Sequence, residues 1–262
     1  MVFKGSRMFA VERQEIICQI LLQRGSVSLG ELTKKFAVSV ETVRRDLQLL
    51  EKRGKLHRIH GGAVACTGVK EQKTLSARMD EYEKEKKELA SYACTLVKEG
   101  DFIAVDGGST ALQFCCALAE SFSSLTVIVH STDAFDMLKQ NNGFQLILAG
   151  GRYNREERSF VGSSTVEMIR KYHVSKCFLA PDAVSLTYGL TVYQDALAEV
   201  ERAYIGIADQ TVVLANHQKF EQNAFLRVTE AKESFLYVTD SGLPEVIRQA
   251  YRERGIDLIT KR

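Results

Sequence analysis

From residue 101 onward the sequence alternates short apolar runs with amphipathic segments. FIAVD is followed by STALQFCCALAESF, LTVIVHS by TDAFDMLKQ, and FQLILAGG by the stretch around SSTVEMIRKY; SKCFLAPDAV, QDALAEVERAYIGIA, TVVLAN, FLYVTD and PEVIRQAYRERG come later. Parallel strands need helical crossovers and bury both faces, so this alternation predicts a mainly parallel sheet covered by helices on both sides. Ligands of such sheets collect at the carboxyl ends of the strands. The apolar runs stop at Asp106-Gly107-Gly108-Ser109-Thr110, His130-Ser131-Thr132-Asp133, Gly150-Gly151-Arg152, Pro181-Asp182, Asn216-His217-Gln218-Lys219 and Thr239-Asp240. Any one of these is ordinary turn chemistry. Their recurrence points to a site for a small hydroxylated anion, with backbone donors for phosphate and carboxylates and hydroxyls for sugar OH groups.

The first of these ends is the most explicit. VDGGSTAL reads as a strand, a tight turn and a helix N-terminus, where an anion can rest on free backbone N–H groups. Gly107 and Gly108 let a ligand approach, Ser109 and Thr110 open the helix, and Asp106 is a hydroxyl acceptor or, in an enzyme, a general base.

The first 65 residues follow another pattern. They hold twelve Lys/Arg against six Asp/Glu, net +6, whereas residues 66–262 are net −4, giving the chain its total of +2. A basic head on an acidic body suggests a nucleic-acid partner for the head, although a charge excess is also what a solvated face looks like. In ERQEIICQILLQR, Ile16, Ile17, Ile20 and Leu21 share one helical face, and Gly25 ends the segment. Ser28-Leu29-Gly30-Glu31 has the form of a capping box and opens a second short helix through Leu32 and Phe36. Ser39 caps a third, VETVRRDLQLLEKR, with Val43, Leu47 and Leu50 inward and Gly54 at its end. Its outer face presents Glu41, Thr42, Arg44, Arg45, Gln48 and Lys52, several of them donors that reach guanine edges or phosphates from a major groove. KLHRIHGGAV then alternates apolar and basic residues across a glycine pair, as a two-stranded wing does, so Lys55, Arg58 and His60 would meet DNA backbone or minor groove. Asp46 is repelled by phosphates and is expected to pair with a neighbouring Arg.

Three helices and a wing make a winged helix-turn-helix, and SVETVRRDLQLLEKRGKLHRIHGGAV resembles the DNA-binding signature of the DeoR family of bacterial transcription regulators. The matching residues are Thr42, Val43, Arg44, Arg45, Asp46 and Leu47, then His60, Gly61, Gly62 and Ala63. The body is similar to that family's sensor domain, related in fold to ribose-phosphate isomerase and CoA-transferase domains. DGGST at 106–110, LAGGRYN at 148–154, YGLT at 188–191 followed by Glu199, Lys219-Phe220 and Val238-Thr239-Asp240 carry that likeness. The sequence departs from the family pattern at His130, at Ala180–Ala183, at His217 and Gln218, and at Glu201, near which the family has Lys.

The resemblance implies a winged helix-turn-helix over 8–65, a linker over 66–75 and an α/β effector-sensing and oligomerisation domain over 76–262. It implies binding to double-stranded operator DNA by Ser39, Glu41, Thr42, Arg44, Arg45, Gln48, Lys52, Lys55, Arg58 and His60. A phosphorylated sugar or related metabolite would be held by Asp106, Gly107, Gly108, Ser109, Thr110, His130, Ser131, Gly150, Gly151, Arg152, Asp182, Glu199 and Lys219, and a dimer or tetramer is expected. The charged front of the helix beginning at Ser76 is assigned no chemistry. Repression of carbohydrate genes is the family's usual mode. Two competing readings are a sugar-phosphate isomerase using Asp106, Glu199 or Lys219 as acid–base groups, and a regulator whose body only oligomerises. No Walker loop, His-Glu-x-x-His or Gly-x-Ser-x-Gly motif is present. Six scattered cysteines without Cys-x-x-Cys spacing suggest small buried residues in a reducing compartment, with neither metal nor cofactor expected. No apolar run reaches membrane-spanning length and no signal-peptide core precedes the first charges, so a cytoplasmic location without membrane contact is expected.

Overall fold

The computed structural model describes residues 8–59, 61–65 and 73–260, apart from the side chains of 22–24 and 65. Two compact units result, one of residues 1–68 with 244–253, the other of 69–243 with 254–262. His60 and positions 66–72 of the expected linker lie outside the described residues.

The first unit runs α1 (Ala10–Arg24), β1 (Ser26–Ser28), α2 (Leu29–Phe36), α3 (Val40–Lys52), β2 (Leu56–Ile59) and β3 (Gly62–Ala65). The capping box forms as the sequence predicts: Glu31 N–H donates to Ser28 Oγ at 3.1 Å, and Ser28 N–H to the Glu31 carboxylate at 3.1 Å. Ala37, in the left-handed region at φ 51°, turns the chain between α2 and α3. Ile17, Leu21, Leu32, Val43, Leu47 and Leu50 close a small core. The wing has a third strand that sequence reading passes over, because β1 pairs antiparallel with β3 on the side away from β2. Three residues between two helices are too few to show a strand period. Gly62 is required here, since a Cβ would lie 2.1 Å from the Val27 carbonyl oxygen.

Asp46 does not pair with a neighbour on its own helix. Its carboxylate accepts from Arg13 Nε at 2.8 Å and from Gln14 Nε2 at 3.2 Å, both on α1, and lies 3% exposed. Arg44 and Arg45 project from the exposed face of α3, so the expected short-range pairing is corrected to a clamp between helices.

The second unit begins with α4 (Leu75–Asp80) and α5 (Glu83–Cys94). The sequence predicts one helix here, but Glu81 is extended and Tyr82 left-handed at φ 52°. No Gly or Pro marks the break. Tertiary hydrogen bonds replace helical ones, because buried Lys86 Nζ donates to the carbonyl oxygens of Arg78 and Met79 at 2.6 and 2.9 Å. Then come β4 (Phe102–Val105), α6 (Gly108–Ser121), β5 (Thr126–Val129), α7 (Thr132–Leu138), β6 (Gln145–Leu148), β7 (Arg152–Asn154), β8 (Ser159–Val161), α8 (Ser163–Ile169), β9 (Val174–Leu179), β10 (Ala183–Ser185), β11 (Gly189–Val192), α9 (Asp195–Ile207), β12 (Ala208–Leu214), β13 (Leu226–Thr229), β14 (Leu236–Val238) and β15 (Leu258–Ile259). The helix α10 (Glu245–Arg252) falls in the first unit.

Seven strands in the order β15-β14-β12-β9-β4-β5-β6 form one sheet, and every described pairing in it is parallel. The apolar runs earn their uniform character from burial on both faces: Ile103, Ala104 and Val105 in β4, and Val127, Ile128 and Val129 in β5, are all 0% exposed. Phe114 of α6 packs on Phe178 of β9 with ring centroids 4.4 Å apart, which fixes the helix after the glycine turn against the sheet. The antiparallel ladder β7-β8 and the sheet β10-β11-β13 are accessory pieces.

Candidate functional site

On α3, Ser39 Oγ accepts from Thr42 N–H at 3.2 Å and lies 2.9 Å from Thr42 Oγ1, so both hydroxyls serve the helix cap. Beyond the cap, Glu41, Arg44, Arg45, Gln48 and Lys52 are exposed on one helix, with Lys55 exposed just after it. Arg58 of the wing is tied down. Its Nε and backbone N–H donate to the two Glu51 oxygens at 2.6 and 2.8 Å, which joins β2 to the end of α3. Burial of Glu51 works toward a higher pKa, but the Arg58 hydrogen bonds outweigh it and hold the carboxyl below the usual range. Arg58 therefore sets the wing's position, while Arg45 and Gln48 are exposed donors of the face and Arg44 Nη1 lies 3.8 Å from a Glu41 carboxylate oxygen.

The second unit carries a cleft at the carboxyl ends of β4, β5, β9 and β12. Gly107 is extended, and Gly108 takes φ +87°, where a side chain is strained. A Cβ on Gly107 would sit 3.4 Å from His130 Nε2. The turn aims the N-terminus of the 14-residue α6 into the cleft, and its first N–H groups have no intrahelical acceptor. Buried Ser109 and Thr110 lie beside them, and Thr110 Oγ1 has no hydrogen-bond partner.

Two compartments share Arg78 and Asp182 as walls. The outer one, about 190 Å³, is lined by Ser109, Thr110, Asn216, Gln218 and Tyr193 and by Lys73, Lys86 and Lys219, with Glu81 the other carboxylate at its edge. Lys219 Nζ donates to the Pro181 carbonyl oxygen at 2.6 Å, and burial pushes its pKa down to about 8 against the attraction of Asp182. The inner one, about 20 Å³, is lined by Asp106, Glu157, Asp182 and Glu201, with His130 and Ser159. Asp106 Oδ2 accepts from Ala180 N–H at 3.0 Å, and its Oδ1 lies 3.8 Å from His130 Nε2. Burial drives the His130 pKa down despite Asp106, so the ring is neutral, with Nδ1 3.3 Å from Tyr204 Oη. Burial and then the charge of Asp106 hold Glu201 well above the usual carboxylate range.

Arg78 joins the compartments. Its Nη2 donates to both Glu157 oxygens at 2.6 and 2.5 Å, its Nε to the Lys73 carbonyl oxygen at 3.1 Å, and its Nη1 lies 3.6 Å from Asp182. Burial raises the Glu157 pKa even so. A helix front given no chemistry in the sequence thus supplies the cation at the centre of the site, and Glu157 comes from the turn between β7 and β8 and Ser159 from the start of β8, outside the seven-stranded sheet. Residues 78 and 157 are 79 positions apart and share no motif, so no local signal reveals them.

Of the expected residues, Asp106, Gly107, Gly108, His130 and Asp182 line the inner compartment, and Ser109, Thr110, Asp182 and Lys219 the outer. Others go elsewhere. Ser131 caps α7, accepting from Ala134 N–H at 3.3 Å. Gly151 serves packing, since a Cβ on it would sit 2.1 Å from Thr165 Oγ1, whose hydroxyl donates to the Gly150 carbonyl oxygen at 3.0 Å; neither glycine lines the cleft. Arg152 starts β7 and is exposed. Glu199 is exposed on α9, whereas Glu201, two residues and about 200° further round the helix, faces the cleft. Glu201 therefore replaces Glu199 in the site.

A winged helix-turn-helix followed by a parallel α/β body with a polar cleft at its strand ends is the layout of a two-part regulator. Residues 13–69 match the DeoR-like helix-turn-helix domain and residues 81–241 the DeoR C terminal sensor domain. The transcriptional repressor AccR of Agrobacterium fabrum is 32% identical over 259 residues, covering 96% of this chain and 98% of the relative. The HTH-type transcriptional repressor GlcR of Bacillus subtilis is 29% identical over 252 residues, covering 96% of each. This chain belongs to the DeoR family of transcription regulators. Among solved structures, ribose 5-phosphate isomerase A from Methanocaldococcus jannaschii covers 53% of this chain and 54% of that one at 23% identity and a TM-score of 0.39.

Proposed function

We propose that the protein is a repressor-type DNA-binding regulator of carbohydrate genes whose operator affinity is set by a phosphorylated sugar or related metabolite. The observation that carries the effector half is the convergence of Ser109, Thr110, Lys219 and the N-terminus of α6 on one compartment, a donor set suited to a phosphate. Exposed Arg44, Arg45 and Gln48 on a capped helix support the DNA half. Relatives named as transcriptional repressors, one of them of a glycerol-3-phosphate regulon, support the sense of control. As a homo-oligomer the protein would place two heads on half-sites about 34 Å apart or a multiple of that. Ligand in the cleft acts by binding one arrangement of the chain more tightly than another.

Fluorescence anisotropy on DNA flanking the protein's own gene, with and without sugar phosphates, tests this reading. A metabolite-dependent change in affinity supports it, and unchanged affinity across a broad panel refutes the effector half. The Asp106–Glu201 pair favours a second reading, an isomerase acting on the same ligand. Turnover of a sugar phosphate by the purified protein would establish that one.

A further inference from the structure

The two compartments are opposite in charge. The outer wall brings Lys73, Arg78, Lys86 and Lys219 against Glu81 and Asp182. The inner wall brings four carboxylates, Asp106, Glu157, Asp182 and Glu201, against the single guanidinium of Arg78, with His130 neutral. That guanidinium is already engaged by Glu157 on Nη2 and the Lys73 carbonyl on Nε, with Asp182 facing Nη1. Asp106 and Glu201 share a side-chain hydrogen bond, and the cation acting on both is Lys219, which belongs to the outer wall. Three buried polar atoms on three separate segments lack any hydrogen bond: His130 Nε2 (0% exposed), Ser159 Oγ (1%) and Glu201 Oε2 (3%). All three residues line the inner cavity, whose roughly 20 Å³ admits one group the size of a water molecule.

We propose that the inner cavity seats an ammonium group, making the effector a phosphorylated amino sugar or similar aminated polyol phosphate, with its phosphate in the outer compartment and its amine between Asp106 and Glu201. This rests on the phosphate seat assigned above. The shared walls, Arg78 and Asp182, let one small ligand occupy both compartments. Size excludes phosphate from the inner one, and its surplus of acceptors disfavours any anion. A hydroxyl offers one donor and no charge, whereas an ammonium offers three donors and a positive charge among four carboxyl groups. Burial and the neighbouring Asp106 charge raise the Glu201 pKa, and a cation between the two carboxyls opposes that rise. A divalent cation is the weaker occupant, since no three His, Cys, Asp or Glu among the described residues are placed to hold a metal.

Isothermal titration of the full chain at pH 7 tests the assignment. The probes are the 2-amino-2-deoxyhexose 6-phosphates of gluco, galacto and manno configuration, each beside its parent hexose 6-phosphate and its N-acetyl derivative. At least one amine should bind roughly tenfold or more tightly than both its partners, a charge-assisted contact being stronger than a neutral one. Glu201→Gln should pull that ratio toward one. Equal affinity of amine and parent for all three sugars overturns the ammonium seat while leaving the phosphate seat standing. Tighter binding of every parent overturns it too, and failure of all nine to bind removes both. The wild-type ratios decide even if Glu201→Gln does not fold.

Discussion

Asp46→Ala tests what holds the DNA-reading helix in place. Asp46 is 3% exposed and Arg13 8%, and the substitution deletes the acceptor of two bonds, from Arg13 Nε at 2.8 Å and Gln14 Nε2 at 3.2 Å. Arg13 keeps its bond to the Met8 carbonyl oxygen at 2.8 Å but loses its counter-charge. Removing one partner of a buried pair costs about 3–5 kcal/mol, because an uncompensated charge stays in the interior. A unit of this size is stable by about 3–9 kcal/mol, so the loss takes most of its margin. Hydrogen exchange followed by mass spectrometry reads the head alone within the intact chain. Peptides of α1 and α3 should exchange hundreds-fold faster or more in Asp46→Ala, with β4 and β5 unchanged. Asp46→Asn, which keeps one acceptor, should fall between the two, and replacing the pair together, Arg13→Met with Asp46→Leu, should recover most of the protection. Protection of α3 in Asp46→Ala within about 1 kcal/mol of wild type would refute the clamp.

Arg45→Ala should weaken operator binding and lower the slope of log affinity against log salt by about 1, measured by anisotropy at several salt concentrations, with effector binding intact. Affinity of the cleft for a sugar phosphate should fall as pH rises through about 8, where Lys219 loses its proton in the free protein, while the phosphate stays dianionic from pH 7 to 9; Lys219→Met should flatten that profile. His217 donates from its backbone and pairs through Nδ1 with Asp240, both at 2.7 Å. The Asp240 hydrogen bond raises the His217 pKa against the opposing effect of burial, so its contribution is complete below 6.5 and is lost as pH rises through the raised value. For Asp240, burial opposes but the His217 bonds prevail and lower the pKa, so its contribution is complete above 3.8 and lost at lower pH. The melting temperature of His217→Ala should therefore fall further below wild type at pH 6 than at pH 9.

The parts of the fold legible in the sequence are those written in local periodicity and punctuation. The sheet strands read as doubly buried runs, the capping box at Ser28 as a helix start, and Gly54, at φ +65°, as the turn after α3. The glycine turn at 107–108 was legible because Gly108 takes φ +87°, where a side chain is strained. Features made by distant partners were not. The break at Tyr82 depends on Lys86 capturing two carbonyls, and the Arg78–Glu157 pair spans 79 positions. Gly150-Gly151 looks like a ligand loop in sequence, yet Gly151 is small for the approach of Thr165 Oγ1. Glu199 and Glu201 differ only in helical phase, which the pattern of QDALAEVERAYIGIA leaves open by two residues.

The most direct test of a sensor that moves a DNA-binding head is one anisotropy titration on DNA flanking the protein's own gene, run for wild type and Lys219→Ala with and without the sugar phosphate that binds wild type. Both proteins should bind the DNA equally in the absence of ligand. Ligand should shift wild-type affinity by roughly 5- to 150-fold and leave Lys219→Ala nearly unmoved. A full ligand response in Lys219→Ala, or no response in wild type, would contradict the assignment of the strand-end cleft as the switch.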